Sequence, residues 1–320
     1  MITIRELTLK DNEVWDRFIE SSNNGTIFHK MSFLSYHEKN KFNFLFLGFY
    51  EDGNLIAEIA GEIKNNIFIS PVGASYGSFA IKNLSYFQTE KIIDSFLNYC
   101  KEKKIANIVL TPPPIFYQRE INQQLEFFFI KKGFLIDRAL LTSVANLLSF
   151  DDDVLKSFDK KRRNQIRKAT RESIIVEQSN ALETFYPILL ENKKKFKILP
   201  THALDDLKKL KNTNTNNIKL FLALKDRKPI AGVLVFVCNT NTALIFYIAQ
   251  KSDFEKFQPV SLLIYNVISW VKKSNYRYLD FGVNTDTSSQ NPMDQVKSLI
   301  DFKESFNSRG FLRTTYRKIL

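Results

Sequence analysis

The sequence is poor in the residues that build metal centres and disulfide frameworks. It contains two cysteines, Cys100 and Cys238, and three histidines, His29, His37 and His202. The cysteines lie far apart in apolar runs, and among the histidines only His29 and His37 are close in sequence. Zinc sites need clustered ligands at short spacing, and disulfide frameworks need several cysteines. The sequence therefore predicts neither a metal site nor a disulfide framework.

Several signatures of catalysis and of membrane insertion are also missing. The chain has no P-loop, HExxH, GxSxG or GxGxxG motif, which excludes the common forms of those nucleotide-binding, metalloprotease and hydrolase sites. No apolar run reaches the roughly 18 residues of a membrane-spanning helix. The first residues, "MITIRELTLKDNEVWDRF", are charged and lack the apolar centre of a secretory signal. We therefore expect a cytoplasmic protein without membrane insertion.

Acidic residues are fewer than basic ones, and the formal net charge is +12. A basic surface suits polyanions such as nucleotides, coenzyme A, nucleic acid or membrane phosphates. Lysines on solvated faces explain the same excess without any ligand, so both interpretations stay open. The basic residues are densest in "DKKRRNQIRKATRESIIVEQ", Asp159 to Gln178, which is either a solvated helix that begins a second domain or a helix that faces an anion.

An internal repeat is visible in the sequence. "LFLGFYEDGNLIA" (Leu45 to Ala57) resembles "LFLALKDRKPIA" (Leu220 to Ala231), and each predicts a β-hairpin. "LNYCKEKKIANIVL" (Leu97 to Leu110) resembles "ISWVKKSNYRYLDF" (Ile268 to Phe281), and each predicts the end of a helix followed by a strand. The offset between the copies is nearly constant, which indicates duplication. The sequence predicts two α/β (α+β) domains with mixed, mainly antiparallel sheets.

Two charged residues near the end of the chain lie in apolar surroundings. Asp280 lies in the apolar strand that begins near Tyr276, and Lys303 lies beside Phe302 in "DFKESF". A buried charge is costly unless it is paired or used. The two residues either pair with each other or flank a substrate, and the sequence leaves both possibilities open.

Two other segments hold candidate binding residues. "SPVGASYGSF" places Ser75 and Tyr76 among glycines, which let a backbone approach a ligand closely. Tyr247 lies near the end of a predicted strand, and a helix begins soon after it near Pro259. Such a helix start can accept an anion. The structural alternatives are an ordinary loop around Ser75 and Tyr76 and an amphipathic core residue at Tyr247.

The order of these parts resembles the FemABX-like nonribosomal peptidyltransferases and their tandem-GNAT N-acyltransferase relatives, in particular a nucleotide-sugar branch. The resemblance spans nearly the whole chain and rests on these stretches: "NGTIFHKMSFLSYH", "PVGASYGSF", "RRNQIRKA", "LPTHALDDLKKL", "FYIAQ…QPVSLLIYNVISWV", "YLDFG" and "DFKESF". It implies two GNAT-like domains, residues 1–152 on the acceptor side and residues 153–320 on the donor side.

The resemblance also implies chemistry, namely the transfer of an acyl group to an amine on an acceptor linked to a nucleotide diphosphate. Lys303 falls on the family's lysine in the F-K motif, and His37 and His202 fall at or near positions where relatives contact the acceptor's phosphates. The candidate sets are Lys303, Asp280 and His202 for catalysis, His29, His37, Ser75, Tyr76, Tyr247 and Asn284 for the acceptor, and Gln258, Val260 and Ser261 for the donor. Among these, Asp280, His29 and His202 are the candidates for the general base.

The donor remains open at the level of sequence. The segment between Leu204 and Lys219 has no room for the coiled-coil arm of some tRNA-dependent relatives, and "EKFQPVSLL" lacks the glycines with which GNAT enzymes hold coenzyme A. The first hypothesis is an acyltransferase that moves an acyl group from acyl-CoA to a dTDP- or UDP-linked amino sugar for surface polysaccharide. The second is an aminoacyl-tRNA-dependent peptidyltransferase acting on a peptidoglycan precursor, and the third is a non-catalytic nucleotide- or RNA-binding module.

Overall fold

The structure, a computed structural model, describes residues 2–195, 197–286 and 289–320. The chain forms two compact units. Unit 1 comprises Met1–Leu140, Thr287–Met293 and Leu312–Leu320, and unit 2 comprises Leu141–Asp286 and Asp294–Phe311. Within the described ranges, none of the helices is both long and apolar enough to span a membrane.

Unit 1 is built on a mixed sheet. Its strands are β1 (Ile2–Leu7), β2 (Phe44–Glu51), β3 (Asn54–Lys64), β4 (Ile67–Ser70), β5 (Ser78–Ile81) and β6 (Asn107–Leu110), together with the first part of β7 (Leu135–Asn146) and the last part of β13 (Ser308–Ile319). Its helices are α1 (Asn12–Ser21), α2 (Met31–Leu34), α3 (Tyr86–Glu102) and α4 (Gln124–Lys131). The sheet order is β1-β2-β3-β4-β6-β13 with β5 beside β3, and β4–β6 is its parallel pair.

Unit 2 has a sheet of the same kind. Its strands are the last part of β7, β8 (Ile175–Ser179), β9 (Ile218–Lys225), β10 (Lys228–Val237), β11 (Thr242–Gln250), β12 (Tyr278–Val283) and the first part of β13. Its helices are α5 (Lys160–Arg171), α6 (Leu182–Lys194), α7 (Leu204–Thr213), α8 (Pro259–Lys273) and α9 (Lys297–Glu304). The sheet order is β8-β9-β10-β11-β12-β7, and β11–β12 is its parallel pair.

The two sheets have one topology, as the internal repeat predicts. The first two repeat segments form the hairpins β2–β3 and β9–β10, and the other two form the ends of α3 and α8 followed by β6 and β12. The turn residues Asp52 and Gly53 both have positive φ, as do Asp226 and Arg227 in the second hairpin. Two consecutive residues with positive φ fit the type I′ turn that matches strand twist. The predicted fold class, tandem α/β domains with mainly antiparallel sheets, is confirmed.

The compact units follow a different division of the chain from the predicted domains. Residues 141–152 lie in unit 2, although the sequence assigns them to the first domain, and Leu312–Leu320 lie in unit 1. The reason is strand pairing over long distances, because β13 pairs with β6 and β7 pairs with β12. Such pairing leaves no periodic signal in the local sequence. The assignment of acceptor and donor roles to residues 1–152 and 153–320 stays a prediction.

A buried carboxylate lies within the sheet of unit 1. Glu58 on β3 is fully buried opposite Gly48 of β2 and Ala80 of β5. Neither of its carboxylate oxygens has a hydrogen-bond partner among the described residues. Burial, with a smaller contribution from the nearby Asp16 charge, raises the pKa of Glu58 to about 10. Glu58 is therefore protonated in the folded protein at neutral pH.

We predict that Glu58 makes the folded protein less stable as pH rises. Its pKa is raised on folding, so its stabilising contribution is complete below the unfolded value of 4.5 and is lost as pH rises toward about 10. The free energy of unfolding should fall by up to about 1.4 kcal/mol per pH unit from this group. Glu58→Gln should flatten the slope in chemical denaturation at pH 6, 7 and 8. The matched control is Glu62→Gln, on the same strand; an equal change of slope in both variants would contradict the assignment.

Candidate functional site

The ammonium group of Lys303 is buried at the end of β12 in unit 2. Lys303 lies in the last turn of α9 and is 3% exposed. Its Nζ donates to the carbonyl oxygens of Gly282 at 2.8 Å and Val283 at 2.9 Å. An ammonium group has three N–H donors, so one of them is not engaged by the described residues. Burial lowers the pKa of Lys303 to about 8, and the Asp280 charge partly offsets this.

Asp280 is anchored by neighbours of its own. It lies fully buried on β12, and its Oδ1 accepts hydrogen bonds from Thr142 Oγ1 at 2.5 Å and from the backbone N–H of Gly282 at 2.8 Å. Gly282 has a positive φ, which accompanies the irregular pairing of β12 with β7 between Asp280 and Val283. The carboxylate and Lys303 therefore interact through space, while each has direct partners at the same strand end. The two groups form no ion pair within 4 Å among the described residues, so the sequence's alternatives, a paired charge or a pair that flanks a substrate, both stay open.

Arg162 is a buried cation that the sequence analysis does not predict as a site residue. It is 8% exposed on α5, and it donates from Nη1 to Ser261 Oγ at 2.7 Å and from Nε to Ser305 Oγ at 2.9 Å. Its guanidinium carbon lies 4.8 Å from the ring centroid of Phe302 and 4.3 Å from that of Phe306. Burial lowers the pKa of Arg162 to about 10. Within "KKRRNQIRKATR" only the helical position, with Ile166 and Ala169 on the same face, distinguishes it from its exposed neighbours.

The predicted donor residues lie at the start of α8. Gln258 precedes the helix with a φ of 61°, Pro259 is its first residue, and Ser261 is buried in the first turn. Val260 is partly buried against the core of unit 2. Arg162 therefore connects the first turn of α8 with the residues that flank Lys303.

Two further predicted residues meet in unit 2. His202 and Tyr247 are both buried, and the Nδ1 atom of His202 lies 3.0 Å from the hydroxyl oxygen of Tyr247. Burial raises the pKa of that hydroxyl. Asn284 follows β12 and donates from Nδ2 to Ser143 Oγ at 2.8 Å, one residue from the Thr142 that holds Asp280. The contacts thus form one group around Lys303 and another around His202.

The four predicted acceptor residues of unit 1 converge on the loop at 71–77. His37 Nε2 lies 2.8 Å from the carbonyl oxygen of Gly73, and the Ser75 carbonyl accepts from Arg313 Nη2 at 2.6 Å. Tyr76 is buried beneath the Arg313 guanidinium, 4.9 Å from its ring centroid.

His29 has protein partners at both ring nitrogens. Its Nδ1 accepts from the backbone N–H of Thr26 at 3.2 Å, and its Nε2 lies 3.0 Å from the carbonyl oxygen of Gly77. Burial lowers the pKa of His29 to about 4, so the ring is neutral. With both nitrogens engaged, His29 supports the loop, and its predicted contact with an acceptor stays a prediction. Among residues 2–195, 197–286 and 289–320, no three His, Cys, Asp or Glu side chains form a metal-binding group.

Comparisons with known proteins agree with this architecture. Residues 157–288 match the family model of an acetyltransferase (GNAT) domain. The solved structure of FemX is similar at a TM-score of 0.74 and 14% identity, covering 99% of this chain and 97% of FemX. The chain also resembles L-PGS from Bacillus licheniformis, with a TM-score of 0.60, 13% identity and coverage of 96% and 91%. No curated protein matches the sequence.

A tandem GNAT protein from the clavulanic acid biosynthesis pathway is also similar, with a TM-score of 0.56, 8% identity and coverage of 100% and 98%. At such identities the structural likeness shows the fold. The likeness confirms the predicted tandem-GNAT architecture, and the matched acetyltransferase (GNAT) domain supports acyl transfer as the class of reaction.

We predict that Lys303 titrates near pH 8 and that Asp280→Asn lowers its pKa further, because the carboxylate stabilises the ammonium form. NMR titration of labelled lysine side chains measures this, with Lys303→Met identifying the resonance. Lys297→Met, on the same helix, is the control and should leave the Lys303 pKa unchanged. A Lys303 pKa near the ordinary 10.5 would contradict the buried geometry.

Proposed function

We propose that this FemABX-like tandem-GNAT acyltransferase moves an acyl group from acyl-CoA to the amino group of a nucleoside-diphosphate-linked amino sugar. The product would feed surface polysaccharide, and a coenzyme A donor implies a cytoplasmic reaction. The observation that carries the proposal is the buried Lys303 ammonium, which has an N–H not engaged by the described residues. The identity of the sugar rests on the family resemblance and on the basic character of the chain.

The chemistry follows from amine attack on a thioester. The neutral amine forms a bond to the carbonyl carbon, whose oxygen becomes an oxyanion, and collapse of this intermediate expels the thiolate of coenzyme A. Lys303 would donate its remaining N–H to the oxyanion, which is worth about 3 kcal/mol in a water-excluded site. The proton lost by the amine passes to a base and then to the thiolate. Asp280 and His202 are the candidates for that base.

The donor would bind at the start of α8. The N–H groups at a helix N-terminus and the helix dipole favour phosphate, and α8 is 15 residues long. Gln258, Val260 and Ser261 supply this end of the helix, and the Arg162 guanidinium, hydrogen-bonded to Ser261, adds positive charge. Arg162 also contacts the rings of Phe302 and Phe306, so the proposed phosphate site connects directly with the segment that carries Lys303.

The proposed acceptor residues of unit 1 surround one loop. Ser75 and Tyr76 lie on the loop at 71–77, and His37 contacts its Gly73 carbonyl. His29 contacts the Gly77 carbonyl and so supports the same loop. His202, Tyr247 and Asn284 remain the proposed acceptor contacts from unit 2.

A second candidate donor is aminoacyl-tRNA, and one observation favours it. Five basic residues share the exposed side of α5: Lys160, Lys161, Arg167, Lys168 and Arg171. None of them takes part in the ion pairs of the described residues. An uncompensated basic stripe suits a phosphate backbone. The burial of Lys303 and Asp280 argues against the third hypothesis, a non-catalytic module with both residues at the surface.

Binding of free donors distinguishes the two candidates. We expect coenzyme A to bind the purified protein in calorimetry and to raise its thermal stability. At about 100 times its dissociation constant, a ligand adds about 2.7 kcal/mol. Deacylated and aminoacylated tRNA are the comparison ligands. If tRNA binds tightly with a steep salt dependence while coenzyme A does not bind, the second candidate is correct and the first is wrong.

We predict that Lys303→Met lowers kcat and kcat/KM together by on the order of 100-fold, because the charge meets the oxyanion in the transition state. Activity of the unmodified enzyme should also decline above about pH 8 as the Lys303 ammonium deprotonates. Lys303→Arg, whose charge persists, should move that decline to higher pH. Lys297→Met is the control for a lost charge on α9. Near-native turnover in a folded Lys303→Met variant would exclude Lys303 from the chemistry.

A further inference from the structure

A groove of about 620 Å³ opens on the sheet of unit 1 at the carboxyl ends of β4 and β6. These strands form the parallel pair of unit 1, and the corresponding strand end in unit 2 holds Asp280 beside Lys303. Ligands of α/β proteins commonly bind beyond the carboxyl ends of parallel strands. The volume is within the range of small-molecule sites, about 300–1,000 Å³.

Three guanidinium groups line this groove, and one of them has a carboxylate partner among the described residues. Arg317 Nε lies 2.6 Å from Asp137 Oδ1. Arg138 and Arg313 form no ion pair among the described residues, so the groove keeps an excess of positive charge. Groups of like charge in one concave surface repel one another, and an anion relieves that repulsion.

The groove also holds one arginine in a fixed orientation. Arg313 donates from Nη2 to the Ser75 carbonyl at 2.6 Å and lies over the ring of Tyr76. At its base the hydroxyls of Thr111 and Thr315 are 2.9 Å apart, and both residues are buried. A guanidinium fixed at one edge leaves its other N–H groups for a forked contact with phosphate oxygens. The groove therefore combines one oriented guanidinium, a second guanidinium without an ion pair among the described residues, and hydroxyl groups, a combination that suits a phosphate.

We propose that this arginine groove binds the diphosphate of the acceptor nucleotide, with Arg138 and Arg313 as the cationic ligands. The inference rests on the proposed function and goes beyond it, since it assigns phosphate recognition to these arginines instead of to His37 and His202. Arg313 also contacts Ser75 and Tyr76, so a diphosphate bound to Arg313 would lie next to the proposed acceptor residues of the loop at 71–77.

Calorimetric titration of the full-length chain with UDP, dTDP and inorganic pyrophosphate tests the groove without any acyl donor. We expect Arg138→Met and Arg313→Met each to weaken UDP or dTDP binding at least tenfold. Arg313→Lys, which keeps the charge and loses the fork, should show a smaller loss. The control is Arg5→Met on β1, at the opposite edge of the unit 1 sheet, which makes the same change in net charge and should leave binding unchanged. Melting temperatures confirm that the variants are folded.

Each outcome decides the inference. If UDP, dTDP and pyrophosphate all fail to bind, or if their binding does not depend on Arg138 and Arg313, the groove is not the phosphate site, whatever the acyltransferase activity. If the arginine variants weaken coenzyme A binding and spare UDP and dTDP, the groove holds the donor, and the inference is again wrong. If nucleotide binding depends on both arginines but acyl-CoA is not a substrate, the groove stands and the proposed function fails.

Discussion

The ammonium group of Lys303, held in a buried position by two backbone carbonyls, is the contact on which the rest of the account depends. A lysine charge in a core is costly, and here burial lowers the pKa to about 8, close to physiological pH. The two carbonyls of Gly282 and Val283 orient the ammonium group without neutralising it. A partial counter-charge from Asp280 keeps the ammonium form populated at neutral pH. Such a group can meet a developing negative charge with little reorganisation.

Neighbouring residues keep the Lys303 ammonium group and the end of β12 in place. Thr142 of β7 and the N–H of Gly282 hold Asp280, so the end of β12 is fixed from a neighbouring strand. Arg162 ties the last turn of α9 to the first turn of α8 through Ser305 and Ser261. A donor phosphate bound at α8 would therefore act on the same residues that position Lys303. Within the part of the chain that the structure describes, Lys303 and Arg162 in unit 2 and Arg138 and Arg313 in unit 1 form no ion pair, which is consistent with anionic substrates.

Sequence patterns predicted the features that depend on local periodicity and on charges in apolar surroundings. The duplicated hairpins, the helix start at Pro259 and the burial of Asp280 and Lys303 belong to this group. The sequence does not distinguish Arg162 from the other six basic residues of α5, because only its position on the helix buries its side chain. The sequence could not predict that Arg138 and Arg313 lie together, because they belong to the neighbouring strands β7 and β13, which are far apart along the chain. The roles of the histidines rested on the family resemblance alone.

The most direct test of the central claim is a crystal structure with a phosphonate bisubstrate analogue of coenzyme A, whose tetrahedral phosphorus carries an oxygen in the place of the oxyanion. The account predicts that Lys303 Nζ lies about 2.7–3.1 Å from that oxygen while it retains its contacts with the carbonyls of Gly282 and Val283. An oxygen bound by other donors, with Lys303 Nζ still directed only at the two carbonyls, would contradict it.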